Sequence, residues 1–192
     1  MSTMYVNQIA PLQGDTISVA SGNTLYLPGH AIQVISTTKT DTWSMTSNST
    51  WTDITGLSLS IIPHYSNSKI KLEAMLTIGC GTADILGGLR ILRSINGGAF
   101  EIPTGSVNDE GGGATGTQRY ITAGFRSNYD VNGSITVPIS FVDSPNTTSS
   151  CVYKIQLLKT QTGTYYLNRT SNDSASYPCR GISTFTAMEI AG

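Results

Sequence analysis

Apolar residues in this chain recur at every second position, and no segment sustains the spacing of a helix face. In Lys69–Ile78, the residues Ile70, Leu72, Ala74, Leu76 and Ile78 share one side, while Lys69, Lys71, Glu73 and Thr77 take the other. Ser134–Val142 repeats the pattern with Ile135, Val137, Ile139 and Phe141. Cys151–Leu158 repeats it again, with Cys151, Tyr153, Ile155 and Leu157 set against Lys154 and Gln156. Successive side chains of a strand point to opposite faces, so a two-residue period is the mark of a half-buried strand. Pro138 falls on the outward side of its run. A proline cannot donate to a neighbouring strand, so this run is expected at a sheet edge or a bulge.

Turn chemistry separates the runs. Leu89–Arg93 and Ala99–Ile102 flank Ser94–Gly98, and the Asn96-Gly97 pair inside it is the strongest short hairpin signal in the sequence. Gly-, Ser- and Asn-rich stretches at 104–117, 126–133, 143–150 and 170–180 read as surface loops. About nine strands at such spacing predict an all-β fold, an antiparallel jelly-roll β-sandwich over residues 31–192. Residues 1–30 differ. Three short β-like runs, Tyr5–Ile9, Thr16–Val19 and Thr24–Leu27, are broken by Pro11, Gly14, Gly22, Pro28 and Gly29. Their apolar area is too small to fold alone. They are expected to form an arm or stem that neighbouring chains order through Val6, Ile9, Ile17, Leu25 and Leu27. The last run, Ile182–Ile190, has Ile182, Met188 and Ile190 on one side and Phe185 and Ala187 on the other. Such a strand is either central in the sandwich or packed on a second subunit, and Phe185 and Met188 are the candidate oligomer contacts.

Composition narrows the partners. Only 12% of the 192 residues are charged and the net charge is −1, whereas 23 are serine and 26 threonine. The outward faces therefore carry hydroxyls rather than ions, which suits pleated strands and turns. No basic stripe exists, so nucleic acid is not an expected partner. No stretch reaches the ~20 apolar residues of a membrane helix, so membrane insertion is not expected either. The opening Met1–Tyr5 lacks the basic start and apolar run of a signal peptide, so synthesis in the cytosol without an export address is expected. Cys80, Cys151 and Cys179 are widely spaced and read as free thiols. The Asn-x-Ser/Thr sequons at Asn48, Asn132, Asn146, Asn168 and Asn172 read as products of composition rather than as glycosylation sites.

Catalytic and metal constellations are missing. His30 and His64 are the only histidines; His30 follows Pro28-Gly29 and His64 follows Pro63, so both are expected at turns, and neither has an acidic residue at ligand spacing. There is no Gly-x-Ser-x-Gly elbow. Asp109-Glu110 before Gly111 is too sparse for a calcium loop or a glycosidase pair, and Gly111–Gly116 lacks the Lys-Ser/Thr of a phosphate loop. No enzyme activity, cofactor or metal is expected. Trp43 and Trp51 are expected to pack. Tyr129 and Tyr177, inside predicted loops with Asn132 and Asn172, are the candidate receptor contacts, because an aromatic beside an amide suits sugars and protein partners alike.

Several segments, taken in order, resemble structural proteins of marine and freshwater phages, cyanophages among them. They are Asn23–Thr38, Ile54–Pro63 with Ser68–Ile70, Leu89–Arg93, Phe141–Pro145, Tyr153–Gln156 and Ser183–Ile190. The resemblance implies a virion protein of the tail-fibre type ending in a trimeric jelly roll of the C1q and tumour-necrosis-factor kind. It implies self-association, attachment to other virion proteins through residues 1–30, and contact with a host surface glycan or protein. A capsid decoration or cement protein is the rival, suggested by the short stem, and a tailspike depolymerase is disfavoured. If residues 1–30 depend on neighbouring chains, limited proteolysis of a proven monomer should remove them first. Full protection there would contradict the arm.

Overall fold

In the computed structural model, residues 28–47, 49–82, 85–107, 121–127, 132–174 and 180–192 are described. The runs Val6, Ile9, Ile17, Leu25 and Leu27, with Tyr129, Tyr177, Cys179 and Asp109-Glu110, lie outside them. Ten strands are found among the described residues: β1 (Ala31–Lys39), β2 (Trp43–Met45), β3 (Trp51–Ile61), β4 (Lys69–Cys80), β5 (Ile85–Ile95), β6 (Ala123–Ser127), β7 (Ser134–Asp143), β8 (Cys151–Lys159), β9 (Tyr165–Leu167) and β10 (Ser183–Ile190).

All strand pairs are antiparallel and fall into two sheets. The first has the order β1-β10-β4, with β7 on the far side of β4 and the short β9–β2 pair continuing from the end of β4. The second has the order β3-β8-β5-β6. Setting aside β2 and β9, the strands in chain order occupy one sheet as first, eighth, third and sixth. The other sheet holds the second, seventh, fourth and fifth. That is the double Greek key of a jelly roll.

The alternation becomes burial. Ile70, Leu72, Ala74, Leu76 and Ile78 of β4 face inward and meet Cys151, Tyr153, Ile155 and Leu157 of β8 in one core, together with Leu57, Ile61, Leu89, Ile91 and Phe185. Each large apolar side chain so buried stabilises by roughly 1.5–3 kcal/mol. Pro138 is exposed and pairs with Met75, and β7 has a partner on one side only, so the proline sits on an edge strand. Cys80 and Cys151 are buried free thiols.

Two expectations are corrected. Asn96 and Gly97 do form the turn, with φ of 51° and 72° and a bond from the Gly98 amide to the Ile95 carbonyl of 2.9 Å. Both central residues need the left-handed region, which is why Asn-Gly serves here. The return run Ala99–Ile102, however, is not a strand: it makes a single bridge, Glu101 to Arg93. The free edge of β5 is taken by β6 up to Leu89, and Pro103 ends the remainder.

The second correction concerns the last strand. β10 lies between β1 and β4, and Phe185 is fully buried in the core. Its side chain is therefore unavailable to a second subunit, while Met188 lies on the outward face, half-buried between its neighbours. Phe185→Ala should cost about 3–5 kcal/mol in urea denaturation, as a core cavity does. Met188→Ala should cost less than about 1 kcal/mol in an isolated chain. Equal costs would contradict this assignment.

Candidate functional site

The strand directions sort the connections into two groups. Pro28–His30, the β3–β4 turn (62–68), the β7–β8 connection (144–150) and the C-terminus share one end. There the Gly29 amide donates to the Ala191 carbonyl (2.7 Å) and the Ala191 amide to His30 (2.9 Å). The β1–β2, β2–β3, β4–β5, β6–β7, β8–β9 and β9–β10 connections leave from the other end. Of the candidate receptor residues, Asn132 is half-buried in the β6–β7 connection and Asn172 is exposed in the β9–β10 connection. Both belong to the end opposite Pro28.

The ends of the apolar slab carry buried charges that the sequence reading missed. The last inward position of four strands is charged and buried: Lys39 in β1, Asp143 in β7, Lys159 in β8 and Glu189 in β10. Asp143 and Glu189 share one transverse row, Gln33–Glu189–Ile70–Asp143, at the Pro28 end. Lys39 and Lys159 close the opposite end. Lys39 Nζ contacts the Asp41 carboxylate at 2.8 Å, and Lys159 donates to the Gly163 carbonyl. Period-2 alternation extended by one more inward residue reaches each of these charges, and that is the signal which could have found them.

Asp143 ties the two sheets together. Arg93 Nη1 of β5 donates to both its oxygens at 2.8 and 2.9 Å, and the Tyr153 hydroxyl of β8 donates at 2.6 Å. The Ser144 amide adds a fourth bond at 2.8 Å. Arg93 Nη2 reaches Glu101 at 2.5 Å. Burial and the neighbouring Asp143 push the Tyr153 hydroxyl far above its usual range, so it remains a donor.

Glu189 is fully buried and saturated by neutral donors. The His64 amide and Ser68 Oγ each donate to Oε1 at 2.6 Å, and Gln33 Nε2 donates to Oε2 at 2.6 Å. His64 Nδ1 lies 2.9 Å from the same Oε2. Glu189 reaches His64 from 125 positions away, a contact that no short ligand spacing encodes. Desolvation works against its charge, but the bonds from Ser68, Gln33 and His64 outweigh it and hold the carboxyl below its ordinary value. Ser68 gives its proton to Glu189 rather than to His64, so this trio does not activate a nucleophile. No group of three or more potential metal ligands gathers among the described residues.

The two outward faces differ. On the first sheet the registers place Val34, Met188, Lys71 and Val142 in one row, Ser36, Thr186, Glu73 and Ser140 in the next, and Thr38, Thr184, Met75 and Pro138 in the third. Lys71 and Glu73 pair at 2.8 Å, and Lys69 on the same side of β4 bonds to Ser144 Oγ at 2.9 Å, so the face carries few charges. On the second sheet Asp53 binds Lys154 (2.7 Å) and Gln156 (2.6 Å), and Arg90 donates to Gln156 at 2.8 Å. Arg90 also lies over the Trp51 ring and Lys154 over Phe100. Trp51 thus packs under a cation, and Trp43 packs half-buried against the core.

The fold and its polar clusters define a jelly-roll β-sandwich closed at both ends by buried charge. No family model matches the chain, and no curated protein matches it. Among solved structures, the infectious bursal disease virus Gt strain is 15% identical with a TM-score of 0.42, over 95% of this chain and 41% of that one. The Gx strain is 13% identical with a TM-score of 0.40, over 93% and 42%. A subviral particle of VP2 from the same virus is 14% identical with a TM-score of 0.36, over 92% and 42%. The chain spans about two fifths of their length.

Two outcomes follow from the buried acids. Asp143→Ala removes the buried partner of Arg93 and leaves it only the exposed Glu101, and should cost about 3–5 kcal/mol by chemical denaturation, more than replacing both Arg93 and Asp143 with apolar residues of similar volume. Glu189 has a lowered folded pKa, so the unfolded chain takes up its proton first. Its contribution is complete above the ordinary value of 4.5 and is lost as pH falls through the lower folded value. Glu189→Gln should therefore flatten the fall in urea midpoint below that pH, and an unchanged slope would contradict the assignment.

Proposed function

We propose that this chain is a virion surface structural protein of the tail-fibre kind: a homotrimer without catalytic activity whose loops meet a host cell surface. The observation that carries the reading is the polarity of the sandwich. The chain arrives through Pro28 at one end, and the connections bearing Asn132 and Asn172 leave from the other. A particle-bound segment at the base and contact loops at the tip is the arrangement a fibre requires. The phage-like segments between Asn23 and Ile190 point the same way. Residues 1–30 join other virion proteins, and the tip meets a host glycan or protein.

Self-association is placed on the outward face of the first sheet. Interface cores are depleted of charge and enriched in methionine, and this face offers Met75, Met188, Val34 and Val142 around one neutralised pair. The second sheet, with its ion pairs and stacked cations, is the solvent side. Three tips on one base multiply a weak single-site contact.

Purified protein in excess should compete with phage adsorption to its host. Met188→Asp, which places an unpaired charge in the contact, should leave the fold intact, lower the oligomeric state and abolish the competition. No competition at saturating surface occupancy would overturn host contact. Hundreds of copies per particle, with weakened heads on removal, would favour the decoration role instead.

A further inference from the structure

A sheet edge offers unpaired amides and carbonyls to any strand that approaches, and stable proteins blunt such edges with prolines, bulges, charges or short strands. Among the described residues the sandwich has four long-sheet edges, β1 and β7 in the first sheet and β3 and β6 in the second. Three of them are blunted. β7 carries Pro138, β6 has only five residues, and β3 breaks register between Asp53 and Ser58, where Gly56 takes φ of 88°. β1 differs. It breaks register only at its start, between Ala31 and Gln33, and pairs regularly with β10 from Gln33 to Lys39. Gln33–Thr38 holds no proline, glycine or charge and is rich in β-branched residues. β10 is its one strand partner among the described residues. A free edge of that composition draws another strand.

The start of the chain supplies a run of matching kind. Thr16-Ile-Ser-Val-Ala-Ser21 is uncharged, free of proline, and bounded by Gly14-Asp15 and Gly22. Ile17 and Val19 fall on one side, Thr16 and Ser18 on the other. Beside β1, Ile17 and Val19 would extend the inward line of Ile35, which packs against the core. Thr16 and Ser18 would extend the outward rows of Ser36–Thr186 and Thr38–Thr184, where cross-strand hydroxyl pairs are favourable. A copy's own run does not meet this edge by a tight turn. A hairpin at Gly22-Asn23 would set Thr16–Ser21 against Thr24–Gly29, about nine residues short of Gln33–Thr38. Extended, the stretch from Pro28 back to Ser21 spans roughly 23 Å, enough to reach a neighbour. We propose that Thr16–Ser21 of one copy adds to the Gln33–Thr38 edge of a neighbouring copy as a further strand of its first sheet. This rests on the self-association proposed above and sharpens it. β1 borders the methionine-bearing face through Val34, so the copy packed there lies next to the edge, and main-chain bonds tie the copies as well as side chains.

The test uses the full chain with Ser18→benzoylphenylalanine, a photo-crosslinker on the outward side of the run. Irradiation should give a covalent dimer on a denaturing gel, with the adduct mapped by mass spectrometry to β1. Hydrogen exchange of the unlabelled chain gives a second reading. Ser18→Pro removes a donor from the middle of the run, so it should speed exchange of the edge-facing amides of Gln33–Thr38 about ten-fold or more and leave those of β4 unchanged. The strand exchange is overturned if no adduct forms, if the adduct lies within one chain or outside β1, or if Ser18→Pro leaves the exchange of Gln33–Thr38 unchanged. An oligomer that persists alongside any of these results overturns the strand exchange alone. A monomer at every concentration overturns it together with the self-association on which it rests.

Discussion

The insertion of β10 between β1 and β4 is the constraint on which the rest of the structure depends. Thr186 pairs with Ser36 on one side and Glu73 on the other, so the first sheet is not continuous until the last segment of the chain has arrived. Nearly every stabilising contact of that strand is long-range, and the entropy of closing such loops precedes their reward. Two residues make the insertion worthwhile. Phe185 fills the centre of the core, and Glu189 draws the β3–β4 turn and β1 onto the strand through His64, Ser68 and Gln33.

Buried charge sets the length of the apolar slab. Lys39 and Lys159 stop it at one end, Asp143 and Glu189 at the other. A carboxylate taken out of water is tolerated only where donors replace its hydration, and both acids have at least four such contacts. The same bonds fix the loops that meet at the Pro28 end. Rigidity there is thus a by-product of satisfying charge.

Much of the fold was legible in local pattern. The alternation at Ile70–Ile78, Ile135–Phe141 and Cys151–Leu157 reports burial because side-chain direction in a strand is a local property. Pro138 marked an edge and Asn96-Gly97 a turn for the same reason. What could not be read locally depends on neighbours. Ala99–Ile102 has strand composition, but it holds a single bridge to Arg93 before Pro103 ends it. Phe185 and Met188 looked alike until the register put one in the core and the other on the surface. The contact between Glu189 and His64 spans 125 positions and no short spacing encodes it. The Arg93–Asp143 cluster was hidden differently, because a charge at the end of an apolar run reads as its boundary rather than as its last inward residue.

The two outward faces differ: one is charge-poor and methionine-bearing, the other carries ion pairs and stacked cations. The charge-poor, methionine-bearing face is where we propose that further copies of the chain pack. Sedimentation equilibrium of the full chain across a wide concentration range tests that claim most directly. Trimeric packing requires a single species at three times the chain mass of 20.4 kDa. A monomer at 20.4 kDa at every concentration would contradict it.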